Sequence, residues 1–309
     1  MIEKTDLIWM DGQMVPWEQA TVHVLTHALH YGTGVFEGIR CYSTDRGPAV
    51  FRLTDHMKRL RNSARIHLMG CPYSVDELVE AAKDVVRENG MDSCYIRPLM
   101  WLGFGEIGLN PLNCEVHAAI ACWAWGAYLG DEGFTKGVRI KISSFRRLDA
   151  NIIPPAAKAT GQYLNSILAK VEAVKAGYDE AILLNQAGLV TDGSGENVFV
   201  VRDGVLTTPP VAAGPLPGIT RASVMQIARD LGVEVHEDNL VRTDLYLADE
   251  VFFTGTAAEV TPVSAIDDQQ LGVGEVTLKI QKAYLDTVNG GGDRWSHWLD
   301  YVAAARAGA

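Results

Sequence analysis

Two α+β domains are the architecture this sequence predicts, and three observations predict it. The chain has 309 residues, long enough for two packed domains or one large one. Its apparent strands and helices alternate without a regular strand–helix–strand beat, which argues against a doubly wound sheet. The stretch Gly126-Ala127-Tyr128-Leu129-Gly130-Asp131-Glu132-Gly133 combines glycine with acid and has no periodicity, as an interdomain connection does. The expected division is a small domain over residues 1–126, a linker over 127–133 and a large domain over 134–309.

In the first domain, Val50-Phe51-Arg52-Leu53 reads as a short strand leading into a helix over 54–64. Ser74 and Glu77 have the spacing of a capping box. Leu78, Val79, Ala82, Val85 and Val86 then keep helical spacing, and Gly90 closes the helix. Residues 95–102 and 117–125 read as successive strands of one sheet. In the second domain, Val138-Arg139-Ile140-Lys141-Ile142 alternates as a half-buried strand does. A helix is expected over 161–176. Residues 181–184 and Leu189-Val190 suggest a hairpin, and residues 197–201 with Val205-Leu206 another, the second turning on Asp203-Gly204. A helix over 220–231 with Thr220 as its N-cap, strands over 233–235 and 250–253, and a helix over 276–287 complete the reading. Residues 303–309 are expected to fray.

Composition removes several functions. Lys plus Arg number 27 and Asp plus Glu 38, a net charge of 27 − 38 = −11. An acidic chain does not suit broad binding to nucleic-acid phosphates or to anionic membranes. The start, Met1-Ile2-Glu3-Lys4-Thr5-Asp6, lacks the basic and apolar regions of a secretion signal, and no stretch has the apolar length of a membrane span. The five cysteines (Cys41, Cys71, Cys94, Cys114, Cys122) form no Cys-x-x-Cys pair. They read as small core residues in a reducing cytoplasm, and no metal site is expected.

Four segments carry candidate chemistry. Lys158 stands in Pro154-Pro155-Ala156-Ala157-Lys158-Ala159-Thr160-Gly161, where little other charge is nearby. Low-polarity surroundings favour the neutral, nucleophilic amine that a Schiff-base lysine needs. On composition alone an exposed loop lysine is the commoner case. Leu216-Pro217-Gly218-Ile219-Thr220-Arg221 and Thr254-Gly255-Thr256-Ala257 can each present backbone N–H groups and a hydroxyl to an anion, or simply turn the chain. Asp192 and Glu196 lie in a glycine-rich bend, Thr191-Asp192-Gly193-Ser194-Gly195-Glu196-Asn197. A protonated pyridine nitrogen needs such a carboxylate, and a solvated turn would also use one. Tyr31-Gly32-Thr33-Gly34-Val35-Phe36-Glu37-Gly38-Ile39-Arg40 and Tyr95-Ile96-Arg97-Pro98 set arginines among aromatics and glycines. That pattern suits bidentate carboxylate recognition or a structural ion pair.

Taken in this order, the segments resemble the class IV, fold-type IV pyridoxal-phosphate aminotransferases, and within them the branched-chain amino-acid aminotransferases. The likeness runs from about Asp11 to Tyr301. It implies a small N-terminal α/β domain and a larger cofactor-binding domain with a mixed, barrel-like core. It implies pyridoxal 5′-phosphate held by Lys158 as Schiff base and general acid/base, with Tyr163 on the phenolic oxygen and Asp192 against the ring nitrogen. The phosphate falls to Arg59, Ile219, Thr220 and Thr256, with Leu216 and Gly218 in the same turn. Substrate falls to Phe36, Gly38, Arg40, Tyr95, Arg97, Trp125, Tyr128, Thr256 and Ala257. Tyr31 and Leu109 match positions that reach a neighbouring subunit's pocket, so a dimer is implied. The family usually has glutamate where this chain has Asp192, one methylene shorter. The implied reaction is amino transfer between L-leucine, L-isoleucine or L-valine and 2-oxoglutarate. A D-amino-acid or (R)-amine aminotransferase, an aminodeoxychorismate lyase and a cofactor-binding protein without turnover are the rivals. Tyr95-Ile96-Arg97-Pro98 and Gly108-Leu109-Asn110-Pro111 favour the branched-chain reading over the first two.

Overall fold

The computed structural model describes residues 2–126 and 130–302, folded as two compact units. One comprises residues 2–125, 157–161 and 287–302; the other comprises 126, 130–156 and 162–286. The division is not contiguous, because the lysine-bearing segment Ala157–Gly161 and the residues from Thr287 onward pack with the first unit.

The first unit is built on an antiparallel eight-stranded sheet. In spatial order its strands are Leu299–Tyr301, Ala49–Phe51, Ile39–Tyr42, Cys94–Leu102, Val116–Trp123, Leu7–Met10 and Gln13–Pro16, and Gly34–Phe36 also pairs with Cys94–Leu102. Helices Leu53–Ile66 and Val75–Glu88 pack on it, burying Met57, Leu60, Leu78 and Val85 in one core with Val35, Ile39, Ile96 and Met100. Each such side chain contributes about 1.5–3 kcal/mol by leaving water. The capping box forms: the Glu77 N–H donates to Ser74 Oγ at 3.2 Å and the Ser74 N–H to Glu77 Oε2 at 2.7 Å. Gly90, at φ 61°, follows the helix end. The hairpin Leu7–Met10/Gln13–Pro16 was not read from the sequence; it turns through Asp11 and Gly12, at φ 47° and 92°.

The second unit carries the mixed sheet, nine-stranded. Its order is Val190–Gly193, Glu180–Leu184, Val138–Arg146, Glu259–Ile266, Glu250–Gly255, Asn197–Arg202, Val205–Thr208 and Val235–Glu237, with Gln269–Gln270 on Glu259–Ile266. Val138–Arg146 runs parallel to both its neighbours, and Val205–Thr208 parallel to Val235–Glu237. Asp203 and Gly204 both take positive φ, 51° and 78°, the conformation that lets a two-residue turn match strand twist. Helices Tyr163–Lys175, Ile219–Asp230 and Glu275–Val288 accompany this sheet. Two sequence expectations need correction. The residue capping Ile219–Asp230 is Gly218, not Thr220, which lies inside the first turn and is buried. The linker read as aperiodic over 127–133 runs into a helix, Gly130–Lys136; residues 127–129 lie outside the described residues. Among the described residues no helix is long and apolar enough to cross a membrane.

Candidate active site

Lys158 belongs to no helix or strand, yet its backbone is clamped on both sides. The segment runs antiparallel to Gly34–Phe36, bridging Val35 and Ala159. The Phe36 N–H donates to the Lys158 carbonyl at 2.9 Å and the Thr160 N–H to the Gly34 carbonyl at 2.9 Å. The Lys158 N–H donates to Ser63 Oγ at 2.9 Å, and Ser63 is fully buried on the helix Leu53–Ile66. Gly32, at φ 66°, comes so close to Gly161 that a Cβ on it would lie 2.9 Å from the Gly161 Cα. Only glycine permits that approach. The clamp places the half-buried Lys158 side chain with Nζ 5.0 Å from the Phe36 ring centroid.

Neighbouring strands complete this surface of the first unit. Arg40, Tyr95 and Trp123 are register partners across three strands. Arg97 stands two residues beyond Tyr95, on the same face. Its guanidinium lies 4.8 Å from the Phe36 ring, 5.3 Å from Tyr95 and 5.7 Å from Trp123, and Nη2 donates to the Tyr95 hydroxyl at 3.3 Å. Among the described residues Arg97 Nε is buried with no hydrogen-bond partner, a donor of the kind a carboxylate satisfies. The Trp125 ring stacks on Tyr95 at 4.6 Å. Gly38 lies under the Tyr95 hydroxyl, where a Cβ would come within 1.9 Å of it. One ring, Phe36, therefore faces both the Lys158 amine and the Arg97 guanidinium.

Arg59 is half-buried on the helix Leu53–Ile66. It is held by a residue the sequence reading did not single out, Glu37, which is fully buried and is also bonded by His56. Burial alone would push the Glu37 carboxyl up, but the Arg59 charge and hydrogen bonds, then His56, hold it well below the ordinary range. Burial pushes the His56 imidazole below its ordinary range, with Glu37 opposing and Arg59 and Lys158 adding to the effect.

In the second unit, one cleft is lined by Tyr163, Asp192, Glu196, Asn197, Leu216 and Arg147. Asp192 is buried, and its Oδ1 accepts from Arg147 Nε at 2.8 Å and Nη2 at 2.7 Å. Arg147 also donates to the Gly193 carbonyl at 2.7 Å and Ser166 Oγ at 3.1 Å. Burial pushes Asp192 up despite Arg147, which opposes it. Arg147 too was missed from sequence; its signal, the pair Arg146-Arg147 ending a strand, is indistinct. Gly218 sits against Asn197, and a Cβ there would lie 1.9 Å from Asn197 Oδ1. That contact keeps the helix start uncluttered, with Ile219 and Thr220 buried in the first turn and Leu216 tied to Asn197 Nδ2 at 2.9 Å. Thr256 and Ala257 are half-buried just past the strand Glu250–Gly255.

Glu196 is pushed up to about 8, first by burial and then by the neighbouring Glu180, with Asp192 adding and the Gly195 N–H and Lys170 opposing. Its ordinary value is 4.5. As pH rises between those values the unfolded chain ionises Glu196 while the folded one keeps its proton, so the residue costs more stability toward alkaline pH. Glu196→Gln, neutral throughout, should flatten the decline of Tm across that window relative to the unsubstituted chain. An unchanged slope would mean that the folded protein does not retain this proton.

Tyr31 and Leu109 are exposed, at 42% and 92%. His27 ties their segments together, its ring tilted against Tyr31 at 4.5 Å between centroids and its Nε2 hydrogen-bonded to the Gly108 carbonyl at 2.8 Å. Tyr128 lies outside the described residues.

Residues 34–266 match the family described as Amino-transferase class IV, and the chain belongs to that family. The branched-chain-amino-acid aminotransferase of Escherichia coli (strain K12) is 50% identical over 305 residues, covering 97% of this chain and 98% of that one. The crystal structure of the Escherichia coli branched-chain amino acid aminotransferase matches with TM-score 0.95 at 50% identity, over 97% of this chain and 100% of the other. The branched-chain aminotransferase of the thermophilic archaeon Thermoproteus uzoniensis, solved with norvaline, matches with TM-score 0.94 at 46% identity, over 97% and 100%. Other solved branched-chain amino acid aminotransferases that this chain resembles hold pyridoxamine 5′-phosphate, at 53% identity and TM-score 0.94, or N-(5′-phosphopyridoxyl)-L-glutamate, at 52% and 0.92.

Proposed function

We propose that this chain is a pyridoxal-phosphate-dependent branched-chain amino-acid aminotransferase, exchanging the amino group of L-leucine, L-isoleucine or L-valine with 2-oxoglutarate. The observation that carries the reading is the Phe36 ring, with the Lys158 amine 5.0 Å away and the Arg97 guanidinium 4.8 Å away. A branched side chain needs an apolar wall, and the second carboxylate of glutamate needs a charged donor. Phe36, Tyr95 and Trp125 supply the wall and Arg97 the donor.

The side chains suit the cofactor. Lys158 offers an amine in half-buried surroundings, Arg59 a rigidly held guanidinium, the start of Ile219–Asp230 backbone N–H groups, and Asp192 a buried carboxylate. When bound, pyridoxal phosphate supplies an aldehyde that takes up the amino group and a ring that draws electrons from the substrate α-carbon. Lys158 holds the cofactor in the resting enzyme, then takes and returns the substrate's α-proton at Nζ. Asp192 keeps a proton on the ring nitrogen, and Tyr163 orients the phenolic oxygen. Arg59, Ile219, Thr220 and Thr256 hold the phosphate. Phe36, Gly38, Arg40, Tyr95, Tyr128 and Ala257 shape the substrate side. In this reading the first unit, which carries Lys158, acts as the substrate-side domain and the second unit as the cofactor domain. A homodimer is the catalytic unit, in which the exposed Tyr31 and Leu109 serve a neighbouring pocket, and free thiols accord with a cytoplasmic setting.

Mixing the protein with L-leucine and 2-oxoglutarate should yield 4-methyl-2-oxopentanoate and L-glutamate with ping-pong kinetics. Arg97→Leu refines the test. It should slow the glutamate half-reaction roughly 10–150-fold, the worth of a charged hydrogen bond, and leave the leucine half-reaction far less affected. Equal losses for both substrates would make Arg97 a structural residue.

A further inference from the structure

Glu37 stands between two residues of the proposed substrate wall, Phe36 and Gly38, but its side chain turns to the helix Leu53–Ile66. There His56 and Arg59, three residues apart and so on one helical face, reach it together. Glu37 Oε1 accepts from Arg59 Nε at 2.7 Å, and Oε2 accepts from Arg59 Nη2 at 2.8 Å and from His56 Nδ1 at 2.7 Å. Its backbone N–H donates to the Pro98 carbonyl at 2.9 Å, so both ends of the residue are fixed. A carboxylate with no exposure is tolerated only when donors fill its lone pairs. Here three donors do so, two of them in the fork-on-fork geometry that fixes a guanidinium plane.

We propose that Glu37, backed by His56, is the positioning residue for the phosphate-binding arginine: it holds the edge of Arg59 formed by Nε and Nη2 and thereby aims the opposite edge at the cofactor phosphate. The inference rests on the assignment of Arg59 to that phosphate. The same contact joins the strand bearing Phe36 to the helix bearing Arg59, so the substrate wall and the phosphate donor are set by one carboxylate.

The test compares two ligands of the full-length chain freed of cofactor: pyridoxal phosphate, and pyridoxal, which lacks the phosphate. Binding is read by absorbance and by borohydride trapping. Arg59→Gln should weaken pyridoxal phosphate selectively. Glu37→Gln keeps the size of the side chain but has a single accepting oxygen. It should weaken pyridoxal phosphate roughly 10–150-fold and leave pyridoxal unchanged. His56→Phe fills the ring volume, removes the Nδ1 donor and should show the same selectivity to a smaller degree. It decides the matter if Glu37→Gln does not fold. Equal weakening of both ligands, or none, in the Glu37 or His56 variant while Arg59→Gln stays selective would overturn the inference and leave the role of Arg59 standing. An unselective Arg59→Gln would instead remove the phosphate assignment, and the inference with it.

Discussion

Lys158→Ala is expected to abolish transamination while leaving the fold intact. The contacts that hold this segment are made by the backbone: the Lys158 N–H to Ser63, its carbonyl from Phe36, and the neighbouring Ala159 bridge. Removing the side chain spares all of them, and losing its contact with the Phe36 ring costs about 0.5–1 kcal/mol, the worth of a cation over an aromatic face. The chemistry loses far more. Lys158 is the group proposed to hold the cofactor and to move the α-proton, and proton transfer by a positioned side chain alone is worth about 10²–10⁴-fold. Purified enzyme should be yellow, and borohydride should fix the cofactor to the peptide containing Lys158. The variant should retain its Tm and show neither turnover nor covalent label. Label on another lysine, or appreciable activity in Lys158→Ala, would remove the assignment.

The second large effect falls on Asp192, the carboxylate proposed for the ring nitrogen, one methylene shorter than the glutamate that the resemblance leads one to expect. Asp192→Asn should sharply reduce activity, because an amide cannot stabilise a positive charge on the ring nitrogen. It also leaves Arg147 short of its anionic partner, and removing one partner of a buried pair costs about 3–5 kcal/mol, so a lower Tm is expected too. Asp192→Glu distinguishes two ways of living with a shorter side chain. If the short reach is simply a deficit, glutamate should bind cofactor at least as tightly and react at least as fast. If the backbone has adapted, the extra methylene overpacks a site already occupied by Arg147, at about 1–3 kcal/mol. The register slips between Val190 and Asp192 in the strand Val190–Gly193, and such irregularities re-aim side chains. We therefore expect Asp192→Glu to lose activity. An active Asp192→Asn enzyme with an unaltered cofactor spectrum would show that Asp192 is not the ring's partner.

Local signals carried the sequence reading a long way. The Ser74/Glu77 cap and the Asp203-Gly204 turn depend on neighbours in the chain, and both form. The strand Glu259–Ile266 was missed because Pro262 argues against a strand interior. In the structure Pro262 pairs with Phe252, and pairing to Val138–Arg146 on the other side begins at Val263. A missing N–H is tolerated there. Thr220 was read as an N-cap because its hydroxyl suits that position, yet the helix starts one residue earlier, on Gly218. At the proposed site, local surroundings mark Lys158, Arg97 and Asp192 as candidates but leave a structural alternative open for each: a loop lysine, an ion pair and a solvated turn. Glu37 and Arg147 are not marked at all, because each acts on a residue distant in the chain: Glu37 is 22 residues from Arg59, and Arg147 is 45 from Asp192. Nothing in a local pattern distinguishes such a residue from an ordinary surface charge.

As proposed, the enzyme is an L-specific aminotransferase that accepts branched side chains and glutamate on one lysine-bound cofactor. Single half-reactions followed by cofactor absorbance test this most directly, with L-leucine, L-glutamate, D-alanine and (R)-1-phenylethylamine added separately to the holoenzyme. L-leucine and L-glutamate should each convert the cofactor rapidly to its amino form, and the other two should convert little. Rapid conversion by D-alanine or (R)-1-phenylethylamine with L-leucine inert would contradict the proposal.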